Sequence, residues 1–451
     1  MKLPDALLDS LDGAEGFDKV EFEAIHQSGI QVTSIRLNPY KKADTLKSYY
    51  SHKVPWCKNA FYLNERPSFT LDPIFHAGGY YVQEASSMFL WHILEQLIAN
   101  DTKGKKVLDL CAAPGGKTTL LASYFSDGLV VANEVIKSRS AILVENTIKW
   151  GLPNIIVTNN DPSHFNKLLG FFDVIIVDAP CSGSGLFRKD PSAIEEWSED
   201  NVLHCSQRQE RILAAILPSL KENGILIYST CSYSIAEDEQ IADWLVEKMN
   251  MQSLKINVPL DWKIVISEAP STQSVGYRFY PNLISGEGLY IVAFKKNETV
   301  LMNKFKETVL AKPNKIELSQ INQFYALPLE YNAFKQNEAI RVIPECWYFS
   351  LMQLASVLYI KKAGIEIGTI KGKDVIPAHE LAVSVMDKST FKLVELNKDM
   401  SLQYLRRKEI QIESTVGWSL VTFQGTYLGW IKVLQNRINN YYPAEWRILK
   451  D

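Results

Sequence analysis

Val107-Leu108-Asp109-Leu110 runs directly into Cys111-Ala112-Ala113-Pro114-Gly115-Gly116-Lys117-Thr118-Thr119. An apolar β-run ends in a turn of small residues, and the turn opens a helix. Two later stretches repeat this strand-to-turn logic. Val174-Ile175-Ile176-Val177 leads into Asp178-Ala179-Pro180-Cys181-Ser182-Gly183-Ser184-Gly185, and Ile225-Leu226-Ile227-Tyr228 leads into Ser229-Thr230-Cys231-Ser232. In an open parallel sheet, ligands bind beyond the carboxyl ends of the strands. The turn and both cysteines therefore fall on the chemically active edge.

Outward from this core, strand and helix patterns alternate over 71–298 in the doubly wound α/β manner. Strands are expected at 106–110, 129–133, 154–158, 173–177 and 223–229, with a last one from Leu289 to Lys295. Helices are expected at 84–99, 137–150, 201–221 and 237–249, the first beginning from Tyr80 to Met88.

The glycine-rich turn is not a phosphate-binding loop. Gly116-Lys117-Thr118 imitates its end, but Cys111 stands where the first glycine of that loop is required. A dinucleotide fingerprint is absent as well. What remains is a turn that lets a ligand approach the backbone. Glu134 closes the next strand, where an acid accepts from ribose hydroxyls. Asp161 follows the third strand, where an acid accepts from an adenine amino group. Either acid alone could simply cap a helix. Together, in order behind the turn, they fit one nucleoside without phosphates, as in S-adenosyl-L-methionine.

Cys181 and Cys231 call for a different account from Cys57, Cys205 and Cys346, which read as inert buried thiols. Carbon 5 of cytosine is a poor nucleophile. A thiolate added at carbon 6 turns carbon 5 into an enamine-like carbanion able to take a methyl group, and cysteine is suited to that addition. Asp178 is placed to steady charge at the pyrimidine edge, in a protonation state the sequence leaves open. The chemistry expected is methylation of a cytosine carbon in RNA.

Composition agrees with a large folded enzyme. The 451 residues are 46% hydrophobic and 22% charged, with a net charge of -3, so a nucleic-acid site must be a local patch. Six cysteines without a CxxC pair argue against a zinc site or a disulfide framework. No metal is expected. The N-terminus lacks a signal-peptide core and there is no long apolar run, so the expectation is a cytoplasmic protein without a membrane. Residues 1–70 form a first unit, in which Ser34-Ile35-Arg36-Leu37 reads as a strand. Over 36–66, basic residues (Arg36, Lys41, Lys42, Lys47, Lys53, Lys58, Arg66) interleave with aromatics such as Tyr40, Trp56 and Tyr62. That mix suits RNA or, equally, a solvated face over a small core. Lys295, Lys296, Lys304, Lys306, Lys312 and Lys315 mark a boundary. An intermediate unit at 299–386 follows, and 387–451 reads as a small β-barrel with Gly turns.

These motifs, in this order, resemble the bacterial RNA (cytosine-5)-methyltransferases of the Sun/Fmu group, and within it the RsmF-like ribosomal RNA methyltransferase branch. Asp109 to Thr119 is similar to the cofactor motif, Asp178 to Pro191 to the Pro-Cys motif, and Ser229 to Ser234 to the Thr-Cys motif. Arg278-Phe279-Tyr280-Pro281, Gln83 to Ser87 and Arg36 to Pro39 fit as well. Pro377 to Ala382 and Asn440 to Pro443 echo the branch more loosely, with Ala378 and Glu380 departing from it. The resemblance implies a Rossmann-like S-adenosyl-L-methionine-dependent methyltransferase domain, a small N-terminal RNA-binding domain and a terminal PUA-like RNA-binding domain. It implies Cys231 as nucleophile and Cys181 as the residue assisting adduct release. Cys111, Ala112, Ala113, Pro114, Gly115, Gly116 and Lys117, with Glu134, Asp161 and Asp178, become the cofactor site, Asp178 also serving the base; Lys117 could reach the cytosine too. His379 reads as structural. The expected substrate is ribosomal RNA or a ribosomal subunit precursor, acted on by a monomer. Transfer-RNA methylation and a non-catalytic RNA-binding factor are the alternatives.

Overall fold

The computed structural model describes residues 2–298 and 308–449. Lys304 and Lys306 lie outside them. The central sheet is built on β1 (Lys106–Asp109), β2 (Leu129–Asn133), β3 (Ile155–Thr158), β4 (Phe172–Asp178), β5 (Leu220–Thr230) and β6 (Leu289–Lys296). Their spatial order is 3-2-1-4-5-6. The first five are parallel and β6 runs antiparallel to β5. A parallel strand covered on both faces is apolar throughout rather than alternating. All five residues of β2 are buried accordingly.

Helices α1 (Gly116–Tyr124), α2 (Lys137–Trp150), α3 (Glu199–Ile216) and α4 (Glu239–Glu247) connect these strands. Helix α3 starts where Ser198 Oγ accepts from the Asn201 amide at 3.1 Å, and Glu199 and Asp200 occupy its electropositive first turn. It stops short of the expected residue 221 because Pro218 cannot continue it. Helix α2 ends at Gly151, whose φ of 84° is the left-handed conformation that closes a helix.

The chain order reverses at β1, which has β2 on one side and β4 on the other. That reversal opens a crevice at the carboxyl ends of β1, β4 and β5.

Several elements depart from the sequence reading. Tyr80–Val82 is not the start of a helix but a strand, paired with Ser34–Leu37. The following helix proper spans Phe89–Leu97. Antiparallel strands Met251–Leu254, Val265–Glu268 and Val275–Phe279 extend the central sheet beyond the expected set. Ile360–Ala363, far along the chain, pairs with β3 at the opposite edge.

The N-terminal sheet has the order Tyr50–Lys53, Ala60–Leu63, Ser34–Leu37, Tyr80–Val82. Much of its basic aromatic segment is internal. Arg36, Trp56 and Tyr62 are buried. Arg36 stacks on Trp150 and donates to Gln83 Oε1, the Gly116 carbonyl and Thr119 Oγ1. It binds the N-terminal unit to α1 and does not face solvent. The exposed cations of the segment are Lys42, Lys47, Lys53, Lys58 and Arg66.

Beyond residue 308, one four-stranded sheet comprises Tyr331–Gln336, Ala339–Pro344, Ile365–Lys371 and Asp374–Pro377. Glu380, which departs from the family pattern, is buried against Arg341 at 2.7 Å and Lys362 at 2.8 Å. The last sheet comprises Lys392–Glu395, Gly417–Phe423, Thr426–Val433 and Ile438–Asn440. Its core is shared with the N-terminal unit: Tyr404, Val421, Ile431 and Tyr442 pack with Ile35, Ile74 and Tyr80.

Candidate active site

A cavity of about 720 Å³ opens at the carboxyl edge. Cys111, Ala113, Glu134, Asp161, Asp178, Cys181 and Cys231 all line it. Of the expected site residues, these seven reach the cavity wall, while the rest of the 111–117 turn stands behind them.

Gly115 carries a φ of 112° and caps α1. A side chain there would be strained, and its Cβ would approach Leu143 at 3.2 Å. Below the turn, Asp109 is buried and accepts from Thr118 Oγ1 at 2.7 Å. Burial pushes its carboxyl up to about 7.

Lys117 pairs with Asp178. Its Nζ lies 2.8 Å from Asp178 Oδ2, and this pairing holds the ammonium protonated despite burial. Asp178 Oδ1 accepts from Ser229 Oγ at 2.7 Å. Two acidic ends are thus fixed by groups from the helix after β1 and from the end of β5.

The sulfurs of Cys181 and Cys231 are 3.1 Å apart. Both residues are partly exposed, and both are free thiols. The contact with Cys181 and burial raise the Cys231 thiol well above its usual range, while Lys117 pulls it down. Burial likewise raises Cys111, helped by the nearby carboxylates.

Glu134 is buried and accepts from the Ile136 amide at 2.9 Å, with Arg139 at 3.8 Å. Asp161 is exposed and accepts from the amide and hydroxyl of Ser163 at 2.9 and 2.6 Å. Those bonds hold its carboxyl below the usual range. Asp161 therefore caps a short helical turn at the cavity rim.

Four functional candidates, Glu237, Gln209, Arg208 and Arg211, have no signal in the sequence pattern. Glu237 is fully buried and ties the two cysteine turns together. It accepts from the Ser182 amide at 2.9 Å, Ser182 Oγ at 2.5 Å and Ser232 Oγ at 2.7 Å. Gln209 donates to it at 3.1 Å and to the Pro180 carbonyl at 3.0 Å. Burial raises the Glu237 carboxyl, and these bonds offset part of the rise. Arg208 and Arg211 lie three apart on α3, both exposed and both on the cavity wall. The remaining cysteines are mixed. Cys57 is buried as expected, but Cys205 is partly exposed and Cys346 exposed, because each sits on the outer side of a helix. His379 packs edge-on between Tyr442 and Trp446, and burial lowers it to about 3.

Comparison with known proteins gives one answer for three parts of the chain. Residues 96–295 match the profile of 16S rRNA methyltransferase RsmB/F. Residues 3–85 match the N-terminal domain of 16S rRNA methyltransferase RsmF, and 391–448 the methyltransferase RsmF PUA domain. The ribosomal RNA small subunit methyltransferase F of Aeromonas salmonicida is 30% identical over 411 residues, covering 87% of this chain and 84% of that protein. The protein of the same name from Shewanella piezotolerans is 28% identical, covering 93% and 91%. Among solved structures, a methyltransferase homolog from Pyrococcus horikoshii is 28% identical with a TM-score of 0.51, covering 65% of this chain and all of its own. NSun6 from the same organism, solved with SFG, shares the fold at 17% identity and a TM-score of 0.54, covering 65% and 98%.

Proposed function

Since the chain belongs to the ribosomal RNA small subunit methyltransferase F family, we propose that its cavity methylates carbon 5 of a cytidine in small-subunit ribosomal RNA, through a covalent bond from Cys231 to carbon 6. The observation that carries the chemistry is the pair of strand-end thiols 3.1 Å apart beside an Asp178 fixed by Lys117 and Ser229.

The cofactor is S-adenosyl-L-methionine, which supplies an electrophilic methyl group when bound. The residues fit it. The cavity is of ligand size, the Gly115 turn allows close backbone approach, and Glu134 stands at the end of β2 for the ribose. Asp161 is assigned to the adenine side. Lys117 is committed to Asp178, so the turn offers no cation for a polyphosphate.

Cys231, as the thiolate, forms the bond to carbon 6, and the displaced electron pair passes to carbon 5. Carbon 5 takes the methyl group as the methyl–sulfur bond breaks, its electron pair staying on the sulfur of the demethylated cofactor. The carbon-5 proton then passes to a base at the cavity wall, a role we assign to Cys181, the 5,6 double bond re-forms, and the bond to sulfur breaks, returning the Cys231 thiolate. Cys181, in contact with that sulfur, assists this last stage. Asp178 steadies charge at the base edge, with the Lys117 ammonium behind it. No metal takes part in this scheme.

The protein is assigned to the cytoplasm as a monomer acting on ribosomal RNA or a subunit precursor. Among the described residues no helix is long and apolar enough to cross a membrane. Bisulfite mapping of ribosomal and transfer RNA from a strain lacking the gene tests the assignment. Loss of one 5-methylcytidine in small-subunit RNA is expected; loss in transfer RNA, or no loss at all, would overturn it.

A further inference from the structure

A second cavity of about 340 Å³ lies where three parts of the chain meet, away from the cysteines. Tyr40, Lys41 and Lys42 come from the N-terminal unit, Lys388 from the segment leading to the last sheet, and Tyr427 from that sheet. Its charged side chains are three lysines and one aspartate. Lys41 Nζ donates to the carbonyls of Ala77 at 2.8 Å and Lys149 at 2.5 Å. Lys388 Nζ donates to the carbonyls of Ser384 at 2.6 Å and Met386 at 2.5 Å, and lies 4.7 Å from the Tyr427 ring centre. An ammonium has three donors. Each of these two therefore keeps one beyond its carbonyl pair.

No carboxylate of the described residues lies within 4.0 Å of the ammonium groups of Lys41, Lys42 or Lys388. Asp387, also on the wall, is turned to the Ser389 amide and hydroxyl. Lys388 is only 2% exposed. Burying like charges without a counter-ion is costly. Burial depresses both Lys41 and Lys388; Lys388 adds its repulsion to Lys41, while Asp387 offsets only part of the fall at Lys388. An anion in the cleft removes that strain. Lys42 is exposed at the mouth, beside the Gly425 turn, and Tyr40 is 46% exposed.

The cleft is also placed in register with the active site. Val385 on its wall donates its amide to the Gly151 carbonyl, just past the carboxyl end of α2, at 3.0 Å. The opposite end of α2 supplies Ile136 and Arg139 to the catalytic cavity. A helix of 14 residues separates the two by roughly 20 Å. That is a distance a few nucleotides of one strand can bridge.

We propose that this cleft seats a backbone phosphate of the substrate RNA a few nucleotides from the target cytidine, with Tyr40 and Tyr427 against the adjoining sugar or base. The inference rests on the RNA-methylation reading above, yet binding tests it separately. A lysine on a phosphate and aromatic rings on bases are the usual means of holding a strand without reading its sequence.

The test compares full-length wild type, Lys42→Glu, Tyr40→Ala/Lys42→Glu and Lys103→Glu, the last an exposed lysine outside both cavities with the same charge change. Binding to a small-subunit ribosomal RNA transcript is followed across a salt series, and initial rates give KM and kcat. Lys42→Glu should weaken RNA binding about tenfold and flatten the salt slope by about one unit, raising KM for RNA at unchanged kcat. The double variant should be weaker still. Lys103→Glu should match wild type, as should S-adenosyl-L-methionine affinity throughout. Equal RNA affinity and slope in Lys42→Glu and wild type would overturn the cleft, and so would an equal loss in Lys103→Glu. If wild type binds the transcript but leaves cytidine unmethylated, the functional reading fails while the binding arms still decide the cleft.

Discussion

The Cys181 sulfur lies 3.1 Å from the Cys231 sulfur, in direct contact with it. They follow neighbouring strands, β4 and β5, whose paired ends bring Asp178 opposite Ser229. A residue able to attack carbon 6 and a residue able to help release it thus share one small volume. They cannot both be thiolates at that separation without strong repulsion.

The first consequence concerns the nucleophile. Cys231→Ala should abolish methyl transfer while cofactor affinity stays near wild type, since the side chain is one of many on the cavity wall. Purified variant assayed with RNA and labelled cofactor decides it. Turnover retained in that protein would falsify the assignment.

Cys181→Ala makes two predictions together. A covalent RNA–protein species should accumulate and migrate slowly on denaturing gels, and it should vanish when Cys231 is also replaced. The contact with Cys181 is the largest cause raising the Cys231 thiol. A raised thiol pKa means less thiolate at a given pH, so removing Cys181 should lower the pKa and increase thiolate. Alkylation of Cys231 at pH 8 should therefore be faster in Cys181→Ala than in wild type. A slower reaction, or no adduct, would reverse the two roles.

Glu237 is the clamp between the two cysteine turns. Glu237→Ala strands the buried Ser182 amide and the hydroxyls of Ser182 and Ser232, a loss of roughly 1–3 kcal/mol per unpaired group. The variant should have a lower melting temperature and a much lower kcat, with S-adenosyl-L-methionine affinity little changed. Glu237→Gln keeps one acceptor oxygen and should recover part of the rate. A kcat equal to wild type in both variants would leave the clamp a purely structural bond.

The contrast between Glu237 and the cysteines shows what the sequence could reveal. Strand, turn and helix around Val107 to Thr119 are local, so their residues announce them. Cys181 and Cys231 stand out because small-residue turns follow apolar runs. Glu237 sits in Glu237-Asp238-Glu239, which reads as an ordinary charged helix start. Only the fold brings it 55 residues back along the chain to Ser182. The Lys117–Asp178 ion pair is likewise invisible until β4 brings Asp178 beside the turn. Nothing local to Arg36 announces that Trp150 and Thr119 enclose it, so the sequence leaves its segment open between an RNA contact and a solvated face. The three antiparallel strands between 251 and 279 are short, and Gln252, Ser253, Ser267, Glu268 and Gly276 break up their apolar pattern.

Glu134 offers a test of the cofactor end. It is buried at the end of β2, and losing a charged hydrogen bond costs roughly 1.5–3 kcal/mol. Glu134→Ala should weaken S-adenosyl-L-methionine binding by about one to two decades. Calorimetry on the purified variant gives the number, and an affinity equal to wild type would remove Glu134 from the site.

The terminal sheet requires a gentler experiment than deletion. Removing residues from 387 onward would strip Tyr404, Val421 and Tyr442 from a core they share with Ile35, Ile74 and Tyr80. The N-terminal sheet would then be exposed, and any loss of RNA binding would merely report unfolding. Charge reversal avoids this. Arg437 and Arg447 are exposed on the last sheet and the segment after it. If this part of the chain contacts RNA phosphates, Arg437→Glu/Arg447→Glu should weaken RNA binding and flatten its salt dependence, since fewer counter-ions are released. The melting temperature and cofactor affinity should stay at wild-type values. Unchanged RNA affinity and slope in a folded double variant would assign this face to packing or to a protein partner instead.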